Sequence, residues 1–487
     1  MDKPRISAYN GVMTDSRSST SRRRFLAGSL ATAGGAAAVS AGVLDPAAAA
    51  VPPDTSPPPP TAQPPDATLR RILARIDHER IEANVRALVG FGTRHTLSSQ
   101  NDPDRGIGAA RDFIFDKLSD YARRSDGRMT VRKQSYIQEK AEGIPNPTRI
   151  TNVLATLRGP ANPRRTYVVT GHYDSRVTDV NDSTSDAPGA DDDASGVAVA
   201  MELARVMADQ DPEATIVFGA VAGEEQGLYG STYLARSFKR RGVKVQGMFT
   251  CDIVGSSTAE DGDRAPHIVR LFTEGVPTAE TKEQAEIRVA VGGENDSPAR
   301  QLGRFVREVA ENDATRMKIA TIWRRDRYLR GGDHIPFLEE GYPAARFTEP
   351  YEDYRHQHQD VRVEDGVQYG DLLRFCDFRY MAGVARVVGA SLWSLAAAPG
   401  VPRNVRIDAT ELTNSTTLLW ERAPGPDVAG YEVVWRATSE AEWEYVRRFG
   451  NVNRATLDIS KDNVYFGVRA VDAAGRHSPA VFPVPVF

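Results

Sequence analysis

Tyr167-Val168-Val169-Thr170-Gly171-His172-Tyr173-Asp174 is a short apolar run that ends in a histidine and an acid. Its β-branched and aromatic residues read as a buried strand, and its polar end marks the point where the chain leaves the core. Two more runs end in the same way. Ile216-Val217-Phe218-Gly219-Ala220-Val221 passes through Ala222 into Gly223-Glu224-Glu225, and Met248-Phe249-Thr250-Cys251 passes into Asp252. Between the first two lies an amphipathic helical stretch from Ser195 to Met207, preceded by Gly189-Ala190-Asp191-Asp192-Asp193-Ala194-Ser195-Gly196. Strands alternating with helices predict an α/β fold, and in such sheets ligand-bearing residues gather where strands end and loops begin.

Outward from this centre the chain divides by composition. Its 487 residues exceed one ordinary domain, and a hydrophobic content of 40% supplies a sizeable core. The net charge of −4 is spread over interleaved acids and bases, so no basic face points to nucleic acid or an anionic membrane. Cys251 and Cys376 are the only cysteines, which excludes a disulfide-dense scaffold and a cysteine-rich metal cluster. Both fall in apolar stretches and are expected to be core thiols, Cys376 within a helical run that continues to Trp393. At the amino end, Ser21-Arg22-Arg23-Arg24-Phe25-Leu26 precedes an Ala/Gly-rich run and the small-residue sites of Ala47-Ala48-Ala49-Ala50. Residues 1–50 resemble a twin-arginine export signal, which implies a periplasmic or extracellular protein with no stable membrane span after its removal. Removing them shifts the charge from −4 to −7. Residues 51–67 are Pro-rich and read as a spacer. A second break near Ala398-Pro399-Gly400-Val401-Pro402 leaves a body at 68–398 and a tail at 399–487.

The strand-end residues make chemical sense as a group. Two zinc ions about 3.5–4 Å apart need a bridging carboxylate, an imidazole or carboxylate on either side, and an open face between them. Histidine supplies the nitrogen that zinc prefers over Ca²⁺ or Mg²⁺. A carboxylate that is not a ligand must accept the proton of the attacking water, and two adjacent glutamates can divide those duties.

In order, these blocks resemble the secreted bacterial di-zinc aminopeptidases of the leucyl type: His172-x-Asp174, Pro188 to Gly196, Gly223 to Ser231, Asp252, and His356-Gln-x-x-Asp360. Gly92-Thr93-Arg94-His95 and Gly332-Asp333-His334-Ile335-Pro336-Phe337 extend the match, which covers most of residues 80–395. The resemblance implies a zinc exopeptidase fold: a mixed, mostly parallel central sheet flanked by helices. It further implies two Zn²⁺ per chain, peptide or protein substrates, and removal of amino-terminal residues. Asp192 would bridge the ions; His172 and Asp252 would complete one, Glu225 and His356 the other; Glu224 would be the general base. Asp174 would sit behind His172 and fix the ring, a role that the physics of metal-bound imidazoles also calls for. Two features blur the pattern. The segment Tyr354 to Asp360 holds two histidines, and the four-residue spacing to Asp360 selects His356 over His358. Where the family places a tyrosine that assists the oxyanion, this chain has Leu329, with Tyr328 adjacent. Asp333 and His334 are expected to shape their loop. A single-zinc acyltransferase of the glutaminyl cyclase type would share the fold, but the presence of both His172 and Asp252 argues against it. The intact acid set with Glu224 argues against a non-catalytic binding protein.

The tail reads differently. Val405-Arg406-Ile407, Thr417 to Trp420, Tyr431 to Trp435 and Tyr465 to Ala470 are short strand candidates separated by turn-rich segments, which predicts a small β-sandwich. Trp420, Gly430-Tyr431 and the run ending near Gly475 resemble a fibronectin type III domain.

Overall fold

A computed structural model describes Pro60 and residues 63–424 and 428–486. The expected export signal at 1–50 and most of the expected Pro-rich spacer lie outside the described residues.

The strands β1 (Met129–Gln138), β2 (Thr148–Leu157), β3 (Asn162–His172), β4 (Ala214–Val221), β5 (Lys244–Cys251), β6 (Ile268–Phe272), β7 (Lys318–Ile322) and β8 (Ala344–Thr348) form one sheet in the order β1-β2-β4-β3-β5-β8-β6-β7. The four central strands, β4, β3, β5 and β8, run parallel. The β1-β2, β2-β4 and β6-β8 pairs are antiparallel. The sheet is therefore mixed, and the carboxyl ends of its central strands share one edge. Helices α1 (Ala67–Ala74), α2 (His78–Gly90), α3 (Ile107–Ala122), α4 (Ala194–Met207), α5 (Tyr229–Arg240), α6 (Lys282–Val291), α7 (Pro298–Ala310), α8 (Ile335–Glu339) and α9 (Phe378–Ala397) complete the body.

Alternation along the strands assigns the two faces. Tyr167, Val169, Ile216, Phe218, Phe249 and Cys251 join a cluster with α1, α2, α3, α4, α7 and α9, whereas Val168, Val217, Val221 and Met248 pack on α5 and α8. Cys251 is thus a core thiol, and both cysteines are unpaired. Every residue of α4 except Arg205 is buried. Each of its buried valines and leucines contributes about 1.5–3 kcal/mol by leaving water. Helix α9 is long and apolar enough to span a membrane by composition, but 94% of its apolar window is buried in this core. It begins later than the sequence suggests. Asp377 accepts hydrogen bonds from the backbone N–H groups of Arg379 and Tyr380 and caps it, so Cys376 precedes the helix and is only half-buried.

Close approach of backbone brings α4 to the end of β3. A Cβ on Gly171 would lie 2.4 Å from Val197 N, and one on Gly196 would lie 1.9 Å from the Cys251 carbonyl oxygen. Only glycine lets the helix start, with the acids before it, rest on the strand ends. Asp193 caps α4 by accepting from Gly196 N at 2.9 Å, and its other oxygen accepts from His172 N at 2.9 Å, which ties the cap to the strand end.

A hairpin of β9 (Arg362–Glu364) and β10 (Val367–Tyr369) follows the late histidines. The tail contains β11 (Arg403–Asp408), β12 (Thr416–Glu421), β13 (Val428–Ala437), β14 (Tyr445–Phe449), β15 (Arg454–Leu457), β16 (Val464–Asp472) and β17 (Val484–Val486) in two sheets, β15-β12-β11-β17 and β14-β13-β16. Val405, Leu418, Trp420, Tyr431, Val433 and Phe466, drawn from both sheets, share one core. This all-β unit is fastened to α7 by buried ions: Asp296 binds Arg304 of α7 at 2.9 Å and Arg436 of β13 at 2.6 Å, and Glu308 binds Arg469 of β16 at 2.6 Å.

Candidate metal centre

Four carboxylates and two imidazoles converge above the shared strand edge. His172 closes β3, Glu224 and Glu225 follow the turn after β4, Asp252 follows β5, and Asp192 stands two residues before α4. The turn into Glu224 needs a left-handed residue, supplied by Gly223 at φ +75°.

Two triads form, His172/Asp192/Asp252 and Asp192/Glu225/His358, each with its donor atoms within 4.8 Å of one another. Asp192 belongs to both. Its Oδ1 is 3.0 Å from His172 Nε2 and its Oδ2 is 2.9 Å from His358 Nε2, so its two oxygens face opposite groups. Asp252 Oδ1 lies 3.9 Å from His172 Nε2, and Glu225 Oε2 lies 3.1 Å from His358 Nε2.

The expected ligand His356 is not at this site; His358 is. The His356 ring stacks on Phe375 with centroids 3.6 Å apart, and its Nδ1 faces Asp353 at 3.5 Å. His358 instead adopts φ +53°, which turns its side chain back toward Asp192. Gln357 Nε2 also donates to Asp192 Oδ2, at 3.3 Å. Asp360 lies outside the cluster and exchanges hydrogen bonds with Thr178.

Asp174 sits behind His172 and holds its ring through the backbone carbonyl. His172 Nδ1 donates to the Asp174 carbonyl oxygen at 3.1 Å, while the Asp174 carboxylate is 3.7 Å away. The bond still fixes the tautomer and leaves Nε2 free to coordinate. The carboxylate accepts from Glu225 N at 3.1 Å and Thr96 Oγ1 at 3.2 Å, so it positions the second glutamate as well.

Other groups support the site, and one of them, Asp371, was not singled out from sequence. Asp371, distant in the chain, accepts from the backbone N–H of Asp191 at 2.9 Å and of Asp192 at 2.7 Å. Arg94 is fully buried and donates to the carbonyl oxygens of Tyr173, Leu88, Pro188 and Gly189 at 2.8, 3.2, 2.6 and 2.8 Å, joining the His172 and Asp192 loops from below. Burial without a directly bonded carboxylate lowers its pKa to about 10. Asp333 and His334 are both fully buried, and His334 Nε2 meets the Arg325 carbonyl at 2.9 Å, in keeping with a loop-shaping role. Tyr328 is 80% exposed and its ring packs under Arg324 at 3.9 Å, so its side chain is committed to the surface of its loop.

The donor chemistry fits divalent zinc. Burial, Asp252, Glu225 and Asp333 push the Glu224 carboxyl well up, while His172 pulls the other way. Burial pushes Asp333 up to about 7. Against burial, the imidazoles of His172 and His358 hold Asp192 well below the usual carboxylate range. Glu225 Oε1 and Asp174 Oδ1 are buried without a hydrogen-bond partner. Acids crowded in this way repel unless cations stand among them, and mixed nitrogen and oxygen donors select zinc over calcium or magnesium.

Sequence relatives agree with that chemistry. The sequence pattern of peptidase family M28 matches residues 152–365, which include every member of both triads. A probable zinc metalloprotease from Pyrenophora teres f. teres is 56% identical over 425 residues, spanning 87% of this chain and 88% of that protein. The chain belongs to peptidase family M28. A second zinc metalloprotease relative of this M28 member, from Leptosphaeria maculans, is 55% identical over 421 residues and is matched over 98% of its length, with 86% of this chain covered. Among solved structures, an aminopeptidase from Aneurinibacillus sp. strain AM-1 is similar over 68% of this M28 chain and 97% of its own, with a TM-score of 0.47 and 17% identity. This M28 member is a zinc-dependent metallopeptidase.

Proposed function

We infer that this chain is an exported aminopeptidase that works with two zinc ions. The observation that carries the reading is Asp192, whose oxygens address two separate donor groups, as a bridging carboxylate must. His172 and Asp252 would hold one ion, and Glu225 and His358 the other. Bound zinc supplies Lewis acidity, drawing charge from a carbonyl oxygen and easing deprotonation of water. Glu224 belongs to neither triad and is half-buried beside both, so its carboxylate is free to act as a base. It takes a proton as the water oxygen attacks the carbonyl carbon, and returns it to the amine nitrogen as the C–N bond breaks.

The charge of the adjoining wall supports recognition of a free amino terminus. A small cavity beside Asp192 is lined by Asp191, Glu349, Asp353 and Asp371 and by no lysine or arginine among the described residues. An α-ammonium group is attracted to such a wall, and a terminal carboxylate is repelled. The signal resemblance at residues 1–50 supports export of the folded enzyme. The β unit behind α7 keeps its resemblance to fibronectin type III as a proposal, with a stabilising role suggested by its buried ion pairs. Peptides with free and acetylated amino termini test the specificity. Release of the first residue from the free peptide should be faster by about 10²-fold or more, because an acylated nitrogen leaves the acidic wall unpaired. Release of residues from the carboxyl end, or cyclisation of amino-terminal glutamine, would overturn the reading.

A further inference from the structure

Arg346 stands in the middle of β8, where all five residues are buried, and has no exposed surface. An arginine there must be satisfied from within. Its Nη2 donates to Asp252 Oδ1 at 2.8 Å and to the Asp252 carbonyl oxygen at 3.3 Å. Its Nη1 donates to the Gly331 carbonyl oxygen at 2.8 Å and lies 3.5 Å from Asp326 Oδ2. Packing around the pair is close: a Cβ on Gly332 would lie 2.9 Å from Arg346 Nη1 and 3.1 Å from Asp252 Oδ2.

The oxygen that Arg346 holds is the one that faces His172. Asp252 Oδ1 therefore receives an N–H from a guanidinium on one side and addresses the His172/Asp192 group on the other. The second triad is built differently. Glu225 has its Oε1 without a hydrogen-bond partner, and its only ion pair among the described residues is with His358. We propose that Arg346 is a positioning residue that aims Asp252 at its zinc ion and makes the two metal positions unequal.

Two effects act on Asp252, and they oppose each other. The guanidinium withdraws charge from the oxygen and repels a nearby cation, which weakens binding. It also holds the carboxylate through a guanidinium braced on Gly331 and Asp326, so less orientational freedom is lost when the ion binds. Orientation outweighs repulsion, because a buried carboxylate that loses the guanidinium bracing it is free to turn away from the ion. Loss of Arg346 therefore weakens one zinc position and leaves the other unchanged.

This rests on the two-zinc reading, and zinc titration of metal-stripped protein by calorimetry separates the two. Wild type should show two binding events. Arg346→Met should weaken one dissociation constant by about 10–100-fold and spare the other. Arg346→Lys, which keeps the charge and loses the guanidinium, should fall between, and is read by the same criterion if the methionine variant does not fold. Unchanged constants, tighter binding, or equal weakening of both positions would overturn the proposal with the two-zinc reading intact. A wild type that binds one ion overturns the two-zinc reading, and Arg346 then stands or falls on whether that single constant weakens in the variants.

Discussion

Glu224→Gln is expected to lower kcat by about 10²–10⁴-fold while zinc content stays at the wild-type level. The substitution keeps the shape of the side chain and removes its capacity to take a proton. Glu224 is a member of neither donor triad, so no ligand is lost. Its neighbour Glu225 is anchored independently, through its backbone N–H on Asp174 and its Oε2 near His358. Peptide hydrolysis and elemental analysis of the same preparation check the result. Zinc lost together with activity would make Glu224 a ligand, and activity within a few-fold of wild type would place the base elsewhere.

The paired variants His358→Ala and His356→Ala should differ sharply. Removing His358 leaves one triad with two carboxylates and no nitrogen donor. An ion worth several kcal/mol to the transition state would be lost from that position, which corresponds to a fall in kcat/KM of about 10³-fold. Removing His356 costs its stacking on Phe375, about 0.5–1.5 kcal/mol of stability, and should change activity by no more than a few-fold. Kinetics with zinc analysis of both variants decide between the histidines. Loss of metal from His356→Ala with His358→Ala intact would restore the assignment drawn from spacing.

That reversal shows where sequence reading stops. His172, Glu224 and Asp252 follow buried runs in the sequence, and strand alternation with parallel topology carries them to one edge whatever the loops do. Asp192 is placed by glycines at Gly171 and Gly196 that admit α4 to the strand ends. His356 and His358 lie in a loop, where spacing does not fix direction. A positive φ at His358 and an aromatic partner for His356 nineteen residues later, Phe375, set which ring turns inward. Asp371 lies outside every recognisable block: it reaches the Asp191-Asp192 backbone across 180 and 179 residues, and nothing local marks it. Arg346 did leave a trace in the sequence, as a charge in the middle of the short buried run Ala344–Thr348. A charged residue in such a strand requires a buried partner, and the partner proves to be Asp252. The strands of the tail were legible from alternation at β11, β12, β13 and β16, but its attachment to α7 through Asp296 and Glu308 depends on contacts between distant segments.

In the proposed mechanism two zinc ions, held on either side of Asp192, act together. Its most direct measurement is recovery of amino-terminal residue release as zinc is added back to stripped protein in known equivalents. Activity that rises until two equivalents per chain are present, and then stays level, is the result expected. Full activity at one equivalent would contradict it.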